Sequence, residues 1–303
     1  MGNVRKNILH SPDLQMHFVV LLWGFTAILG KLISLSGPVL VWHRLWMTVL
    51  TLMFLPGMLK TMRGFTRGEW VKLSIVGILT ALHWVAFYGS IKMGDSASLA
   101  LSTLATSSFF AALLEPVLTK TRFDYINLFL GALVFLGVRI IYADQGVHAG
   151  AFFVGLFAGF LAALFSTLNK KWVTHLDAGA VTLGELSIGF LFLTLILPLF
   201  LDFNYPLSQL IPRAEDWIYL IILSVLCTAF TFVVALKCLK YISAFKSNLY
   251  VNLEPVYGII LAALFLKEYK SLSTNFFLGA SIIILAVFIK PIVKWVVKPS
   301  KYI

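Results

Sequence analysis

Ten long apolar stretches, separated by short connections rich in Lys, Arg, Gly or Pro, account for nearly all of this 303-residue chain. Each has about 20 residues, the length that a helix needs to cross a bilayer core of about 30 Å. Helices satisfy their own backbone polar groups in lipid, and the sequence lacks the short alternating strands of a membrane barrel. The pattern predicts an all-α membrane protein, a single bundle of ten transmembrane helices at 15–34, 39–59, 70–91, 97–119, 123–143, 150–171, 179–201, 216–238, 244–266 and 273–295.

Composition agrees with a lipid environment, since 60% of the residues are hydrophobic, 12% are charged and the mean hydropathy is +0.93. The net charge of +11 comes from basic residues distributed between the apolar segments. A nucleic-acid partner is therefore not predicted, because such a partner requires a concentrated basic surface. Cys227 and Cys238 fall on one predicted helix, too far apart for a disulfide, and are interpreted as packing residues.

The distribution of positive charge predicts the orientation in the membrane. If the N-terminus is cytoplasmic, 17 of the 24 Lys and Arg residues lie at cytoplasmic ends of the spans, six lie at the outer ends, and Arg44 lies within a span. Cytoplasmic loops of membrane proteins carry such an excess. We therefore expect a multi-pass protein of the bacterial inner membrane with both termini in the cytoplasm.

A weak internal repeat divides the chain into two halves, 1–146 and 147–303. "FLGA" occurs at 129–132 and 277–280, "SA" at 96–97 and 243–244, and "WGFTA" at 23–27 lies opposite "AGFLA" at 158–162. Five spans in each half is an odd number, so the second half enters the membrane with the opposite polarity. Inverted repeats of this kind are typical of secondary transporters.

Several of these segments together resemble the drug/metabolite transporter superfamily, and within it the bacterial EamA-like transporters. They are "LWGFTAILGK" in the first span, "SGPVLVWHR" entering the second, "MGDSASLA" and "KYISAFKSNLYVNLEPVYGIILAALFLKE" opening the fourth and ninth, and the two "FLGA" motifs. The resemblance implies export or exchange of small metabolites such as amino acids through a central cavity. It also implies a proline in the middle of the fourth and ninth helices, whereas here Ser107 stands opposite Pro255 when the FLGA motifs are aligned.

The ninth span carries a carboxylate and a proline near the middle of the bilayer. A charge there costs about 2.5–3.5 kcal/mol by insertion measurements, so Glu254 is either a substrate-binding and proton-coupling group or a structural hydrogen bond between helices. Pro255 is expected to kink the helix and to open space beside the acid. Three more side chains lie on one face of the same helix and are predicted to bind substrate with Glu254. They are Asn248, Tyr250 and Asn252.

The third and fourth spans offer further candidates for substrate binding. Trp84 and Tyr88 are four residues apart and could stack on a planar or cationic ligand, with His83 beside them. Ser102 and Thr106 form a hydroxyl pair at the same helical spacing. Each of these residues has an alternative role in packing, since aromatic and small hydroxyl residues commonly fill interfaces between membrane helices.

Three charged residues are predicted to be structural or gating charges. Arg44 lies a turn or more inside the outer end of the second span, and Glu185 lies at a comparable depth from the inner end of the seventh. Arg44 could instead bind a substrate carboxylate through two parallel hydrogen bonds. Glu115, next to Pro116, marks a candidate break in the fourth helix.

These features favour a secondary transporter. The sequence has no metal, phosphate-loop or nucleophile-elbow motif. A channel-like facilitator and a membrane-embedded transferase are the alternatives. The expected partners are a small-molecule substrate, the lipid bilayer and candidate coupling protons. No enzyme activity, cofactor or metal is predicted, and the oligomeric state is left open.

Overall fold

The computed structural model describes residues 11–143, 149–172, 175–201, 206–238, 241–242 and 250–296, with side chains up to residue 289. These residues are arranged as helices, and no strand occurs among them. In the first half the helices are α1 Pro12–Leu32, α2 Gly37–Met53, α3 Met58–Arg63, α4 Arg67–Gly94, α5 Ala97–Leu104, α6 Ser107–Thr119 and α7 Tyr125–Ala143.

The second half begins with α8 Ala149–Trp172 and α9 Ala178–Ile196. A continuous helix follows, made of α10 Ala214–Ile221, a π-helical stretch at Ile222–Phe230 and α11 Thr231–Cys238. The last helices are α12 Glu254–Leu266 and α13 Thr274–Val296.

Within the described ranges, seven helical segments are long and apolar enough to cross a membrane, and α12 and Thr274–Ile289 are shorter apolar helices. An all-helical membrane architecture is therefore confirmed. The count of ten spans stays a prediction. The second predicted span, 39–59, is shorter than expected, because the helix ends at Met53 and a separate short helix follows at Met58–Arg63.

Local sequence determines where several helices begin. Thr66 and Glu69 form a capping box at the start of α4, and Asp177 caps α9 by accepting from the Ala180 backbone N–H at 2.9 Å. Such side chains satisfy backbone donors that have no partner within the helix. Proline occupies the first turn of α1, α2 and α12, where its missing N–H costs nothing.

The fourth and ninth helices are interrupted at equivalent places. α6 and α12 each have 13 residues, each follows an interruption, and each ends at a lysine with positive φ, Lys120 at 56° and Lys267 at 54°. The two helices are related by 147 positions, so the interruptions near Ala105 and Asn252 correspond. Pro255 therefore lies in the first turn after a break, whereas Pro116 lies inside α6, which continues to Thr119. The Glu115-Pro116 pair does not break the fourth helix.

Glycines allow close contact between helices at the centre of the bundle. A Cβ atom on Gly159 of α8 would lie 2.6 Å from the Thr106 hydroxyl, and one on Gly155 would overlap the Thr103 side chain. Small residues promote this close approach of membrane helices. Between the halves, a Cβ on Gly137 of α7 would lie 2.8 Å from the Gly279 carbonyl of α13.

Candidate functional site

A cavity of about 450 Å³ lies between the two halves. This volume is within the usual range of about 300–1,000 Å³ for small-molecule sites. Its walls come from α1, α2, α4, α6, α7 and the end of α5 in the first half and from α8, α11, α12 and α13 in the second. Polar residues that line the cavity include Arg44, His83, Ser107, Ser108, Asn252 and Glu254.

Arg44 of α2 is the buried cation of the cavity wall, with 3% of its surface exposed. Its Nε donates to the Thr228 hydroxyl at 2.9 Å, and Nη1 donates to the Tyr88 hydroxyl at 3.0 Å. The guanidinium carbon lies 3.7 Å from the centroid of the Trp84 ring, a cation–π contact. Hydrogen bonds and the aromatic ring thus fix the guanidinium and compensate for its removal from water.

Thr228 lies in the π-helical stretch, where its hydroxyl also donates to the Leu223 carbonyl five residues earlier, at 2.6 Å. π-Helical turns are rare and frequently occur at functional sites. Thr228 was not among the candidates from the sequence, because nothing in a local apolar pattern reveals which threonine faces an arginine on another helix.

Glu254 of α12 is half-buried and lines the cavity together with Asn252 and Pro255. Its charge and that of Arg44 attract each other. Between these two described residues there is no direct ion pair. A carboxylate and a guanidinium from opposite halves therefore line the same cavity without forming an ion pair.

The aromatic candidates of α4 take different positions. Trp84 lines the cavity, and Tyr88 lies behind Arg44 as its hydrogen-bond partner. His83 also lines the cavity, and its Nδ1 is 2.9 Å from the Ala158 carbonyl of α8. Phe165 and Phe232 of the second half add further aromatic surface to the cavity wall, and the sequence analysis missed both.

Three other candidates lie outside the cavity lining. Ser102 and Thr106 are fully buried, and their hydroxyls donate to the carbonyls of Leu99 and Thr103, each at 2.6 Å. The Tyr250 hydroxyl donates to the Asp13 carboxylate at 2.8 Å, so the residues just before α12 contact α1. Asn248 lies outside the described residues. Ser107, which the FLGA alignment placed opposite Pro255, and its neighbour Ser108 line the cavity immediately after the break in the fourth helix.

The cavity extends to the end of the bundle where α6 and α8 finish. There Glu115 accepts from Lys170 at 2.6 Å, and both side chains are about one-third exposed, 33% and 36%. Asn127 and Asn169 also line this end. It is the end that the charge distribution predicts to be cytoplasmic. Glu185 does not line the cavity but contacts Asn169, whose Nδ2 donates to Glu185 Oε2 at 3.2 Å.

The opposite end of the bundle is closed by contacts between the halves. Glu268 accepts from the Ser96 hydroxyl at 3.0 Å and from the backbone N–H groups of Ala97 and Ser98, each at 2.9 Å. Asp216 accepts from the backbone and hydroxyl of Ser34, at 2.8 and 2.6 Å. A Lys31–Asp95 ion pair adds a contact within the first half.

A helical membrane bundle with a charged central cavity that is accessible from one end is typical of membrane proteins that bind or move small solutes. The sequence model of the EamA-like transporter family matches residues 11–143 and again 149–290. The chain therefore belongs to the EamA-like transporter family, in the drug/metabolite transporter superfamily, and is a multi-pass membrane transporter with the two-repeat architecture of that family.

Among solved structures, one crystal structure described only as that of a protein resembles this chain with a TM-score of 0.66. It is 13% identical in sequence, and the match covers 95% of this chain and 99% of that one. At this level of identity the likeness shows the fold alone. No curated protein sequence matches this chain.

Proposed function

We propose that the protein is a secondary transporter of the bacterial inner membrane that exports amino acids or similar small polar metabolites by alternating access, with both termini in the cytoplasm. The observation that supports this most directly is the central cavity, where Arg44 from one half and Glu254 from the other supply opposite charges. An amino acid carries one charge of each sign, so its carboxylate and ammonium groups complement this pair. The aromatic walls suit a side chain or planar group.

The positions of the contacts favour alternating access. The cavity reaches the end that contains Glu115 and Lys170, and the opposite end is held shut by Glu268 and Asp216. In an inverted repeat, rocking of one half against the other exchanges the open and closed ends. The family membership assigns transport, whereas a transferase would need positioned reactive groups and substrate-holding loops.

Counterflow in proteoliposomes tests the transport proposal. Vesicles with purified protein are loaded with unlabelled amino acids and diluted into a trace of the labelled mixture. A carrier accumulates label transiently, because internal substrate drives exchange, whereas a channel-like facilitator equilibrates label without an overshoot. Absence of any protein-dependent uptake of the mixture would contradict the proposed substrate class.

The variant Glu254→Gln should reduce counterflow at least tenfold, because it removes the charge that would bind the substrate ammonium group. Charge-assisted hydrogen bonds are worth about 1.5–3 kcal/mol, which corresponds to a factor of this order. Glu215→Gln, at an exposed position of α10, is the matched control and should transport normally. Normal counterflow by Glu254→Gln in correctly inserted protein would refute the role of this residue.

A further inference from the structure

Glu185, on α9, is buried and incompletely hydrogen-bonded. Only 2% of its surface is exposed. Its Oε2 accepts from Asn169 Nδ2 at 3.2 Å, but Oε1 of Glu185 and Oδ1 of Asn169 are both buried without a hydrogen-bond partner among the described residues. Two unpaired acceptors therefore belong to one contacting pair of side chains, and such groups are uncommon in native interiors.

The helices packed around Glu185 supply no cation to this carboxyl. α9 packs against α2, α3, α4 and α11, and a Cβ on Gly189 would lie 2.8 Å from the Gly77 carbonyl, so α4 and α9 are in backbone contact beside the site. Among the described residues no ion pair reaches the Glu185 carboxyl. The titratable side chains of these helices, and of α8, which supplies Asn169, bond elsewhere or lie toward the helix ends: His43, Arg44, Lys60, Arg63, Arg67, Glu69, Lys72, His83, Tyr88, Lys92, Lys170, Lys171, Lys237 and Cys238.

A carboxylate in this environment is strongly destabilised. Burial of an ionised group without a compensating charge costs several kcal/mol, and binding a proton removes most of that cost. Glu254 differs, because the positive charge of Arg44 acts on it and favours its ionised form, whereas no cation among the described residues acts on Glu185. The two intramembrane carboxyls are therefore suited to different tasks, one to a charged substrate and the other to a proton.

We propose that Glu185 and Asn169 form a proton-binding site that exchanges with the cavity, separate from the substrate-binding charges. Asn169 contacts the carboxyl and also lines the cavity, so it connects the buried acid to the open end. The dependence of transport on this proton rests on the proposed function, whereas proton binding itself does not.

The pair has two complementary hydrogen-bonding arrangements. In the deprotonated state, the Asn169 amide N–H donates to the carboxylate, as in this structure. When Glu185 takes up a proton from water in the cavity, its new O–H donates, and rotation of the amide by about 180° turns Oδ1 toward it as acceptor. The amide N–H is then released. No bond other than O–H is formed or broken, and the charge of the site changes by one.

Pseudo-symmetry places this site opposite Arg44. Arg44 is the eighth residue after the N-cap Ser36 of α2, and Glu185 is the eighth after the N-cap Asp177 of α9. Arg44 has two hydroxyl partners and an aromatic ring, whereas Glu185 has one amide. The same position of the repeat thus holds a permanent cation in one half and an exchangeable proton in the other.

Infrared difference spectroscopy of the purified protein in lipid tests the site without a substrate. Titration from about pH 5 to about pH 9, the range in which buried carboxyls ionise, should remove a protonated-carboxyl band from the wild type. Glu185→Gln should lack that component, and Glu254→Gln and the exposed control Glu215→Gln should retain it. An unchanged titrating band in Glu185→Gln would overturn the proposal.

The infrared spectrum of Asn169→Leu is a second test. This variant keeps Glu185 in place, so it can be used even if Glu185→Gln does not fold. Loss of the amide acceptor should shift the frequency of the Glu185 band, and an unshifted band would contradict the pairing. A band that persists across the whole pH range identifies a permanent interhelical hydrogen bond instead. Removal of the band by Na⁺ alone, at constant pH and against choline, identifies a sodium site and also overturns the proposal.

Transport separates this inference from the proposed function. With the labelled amino-acid mixture, counterflow by Glu185→Gln should stay within about twofold of wild type. Its uptake driven by a pH gradient should fall at least tenfold. Loss of counterflow in Glu185→Gln would contradict a role confined to the proton. Failure of wild-type counterflow would refute the proposed function and leave the infrared result to decide the proton site.

Discussion

At the residue scale, the cavity depends on charges whose cost in lipid made them visible in the sequence. Arg44, Glu185 and Glu254 stand out because an ionisable group within an apolar span requires a partner or a cavity. The structure gives Arg44 two hydroxyl partners and an aromatic ring and places Glu254 beside the cavity. Their roles in binding stay predictions.

Polarity alone did not distinguish residues on the cavity wall from residues behind it. Ser102 and Thr106 bond to their own helix, and Tyr88 and Tyr250 bond to side chains on other helices. The direction in which such residues point depends on how helices pack, and helical spacing does not specify that. Thr228, Phe165 and Phe232 were missed for the same reason.

Replacement of Arg44 by lysine should impair transport although it preserves the charge. Lysine lacks the planar fork that reaches Thr228 and Tyr88 together, and it loses the stacking on Trp84. We expect counterflow to fall at least tenfold, measured in proteoliposomes. The control Arg139→Lys, at an exposed position of α7, should behave as wild type. Equal activity of the two variants would show that the geometry of the guanidinium is unimportant.

At the element scale, the repeat was predicted better than the breaks within it. The FLGA offset of 148 suggested that Ser107 and Pro255 correspond, whereas the helix bounds give an offset of 147, which pairs Ser107 with Glu254. The fourth helix is interrupted without a proline at that point. Side-chain hydroxyls near the break, such as Thr106 and Ser108, bond to carbonyls three residues earlier and support the tight turn.

The close contact of α8 with α5 and α6 predicts a strong effect at Gly159. In Gly159→Val the added Cβ would lie 2.6 Å from the Thr106 hydroxyl and 3.1 Å from the Thr103 carbonyl. Overpacking of this kind costs about 1–3 kcal/mol, so the thermal unfolding temperature in detergent should fall. Gly68→Ala is the control, since a Cβ there meets no atom within 4 Å. Equal unfolding temperatures would contradict the tight contact.

At the scale of the whole molecule, contacts between the two halves close the end of the bundle opposite Glu115 and Lys170. Glu268 joins the start of α5 to the second half, and its negative charge suits a helix N-terminus. The sequence showed which charged residues lie between the apolar segments. It did not reveal which carboxylate reaches which helix end, because those contacts join residues more than 150 positions apart.

The variant Glu268→Gln should open the closed end more often, because it removes the charge that binds the Ala97 and Ser98 N–H groups. Labelling of Thr26→Cys, on the cavity wall, by a membrane-impermeant reagent from the outer face should accelerate several-fold. The native Cys227 and Cys238 are first replaced by serine. Glu215→Gln on the same background should leave the rate unchanged. An unaltered rate in Glu268→Gln would argue against this gate.

If two inverted halves surround one cavity, equivalent positions of the two repeats must face opposite sides of the membrane. Gly68 is the second residue of α4 and Glu215 the second residue of α10, and the two are related by the same 147 positions as the broken helices. In cysteine-free protein, Gly68→Cys should react with an impermeant reagent only from the cytoplasmic face, and Glu215→Cys only from the outer face. Reaction of both from the same face would contradict the inverted architecture.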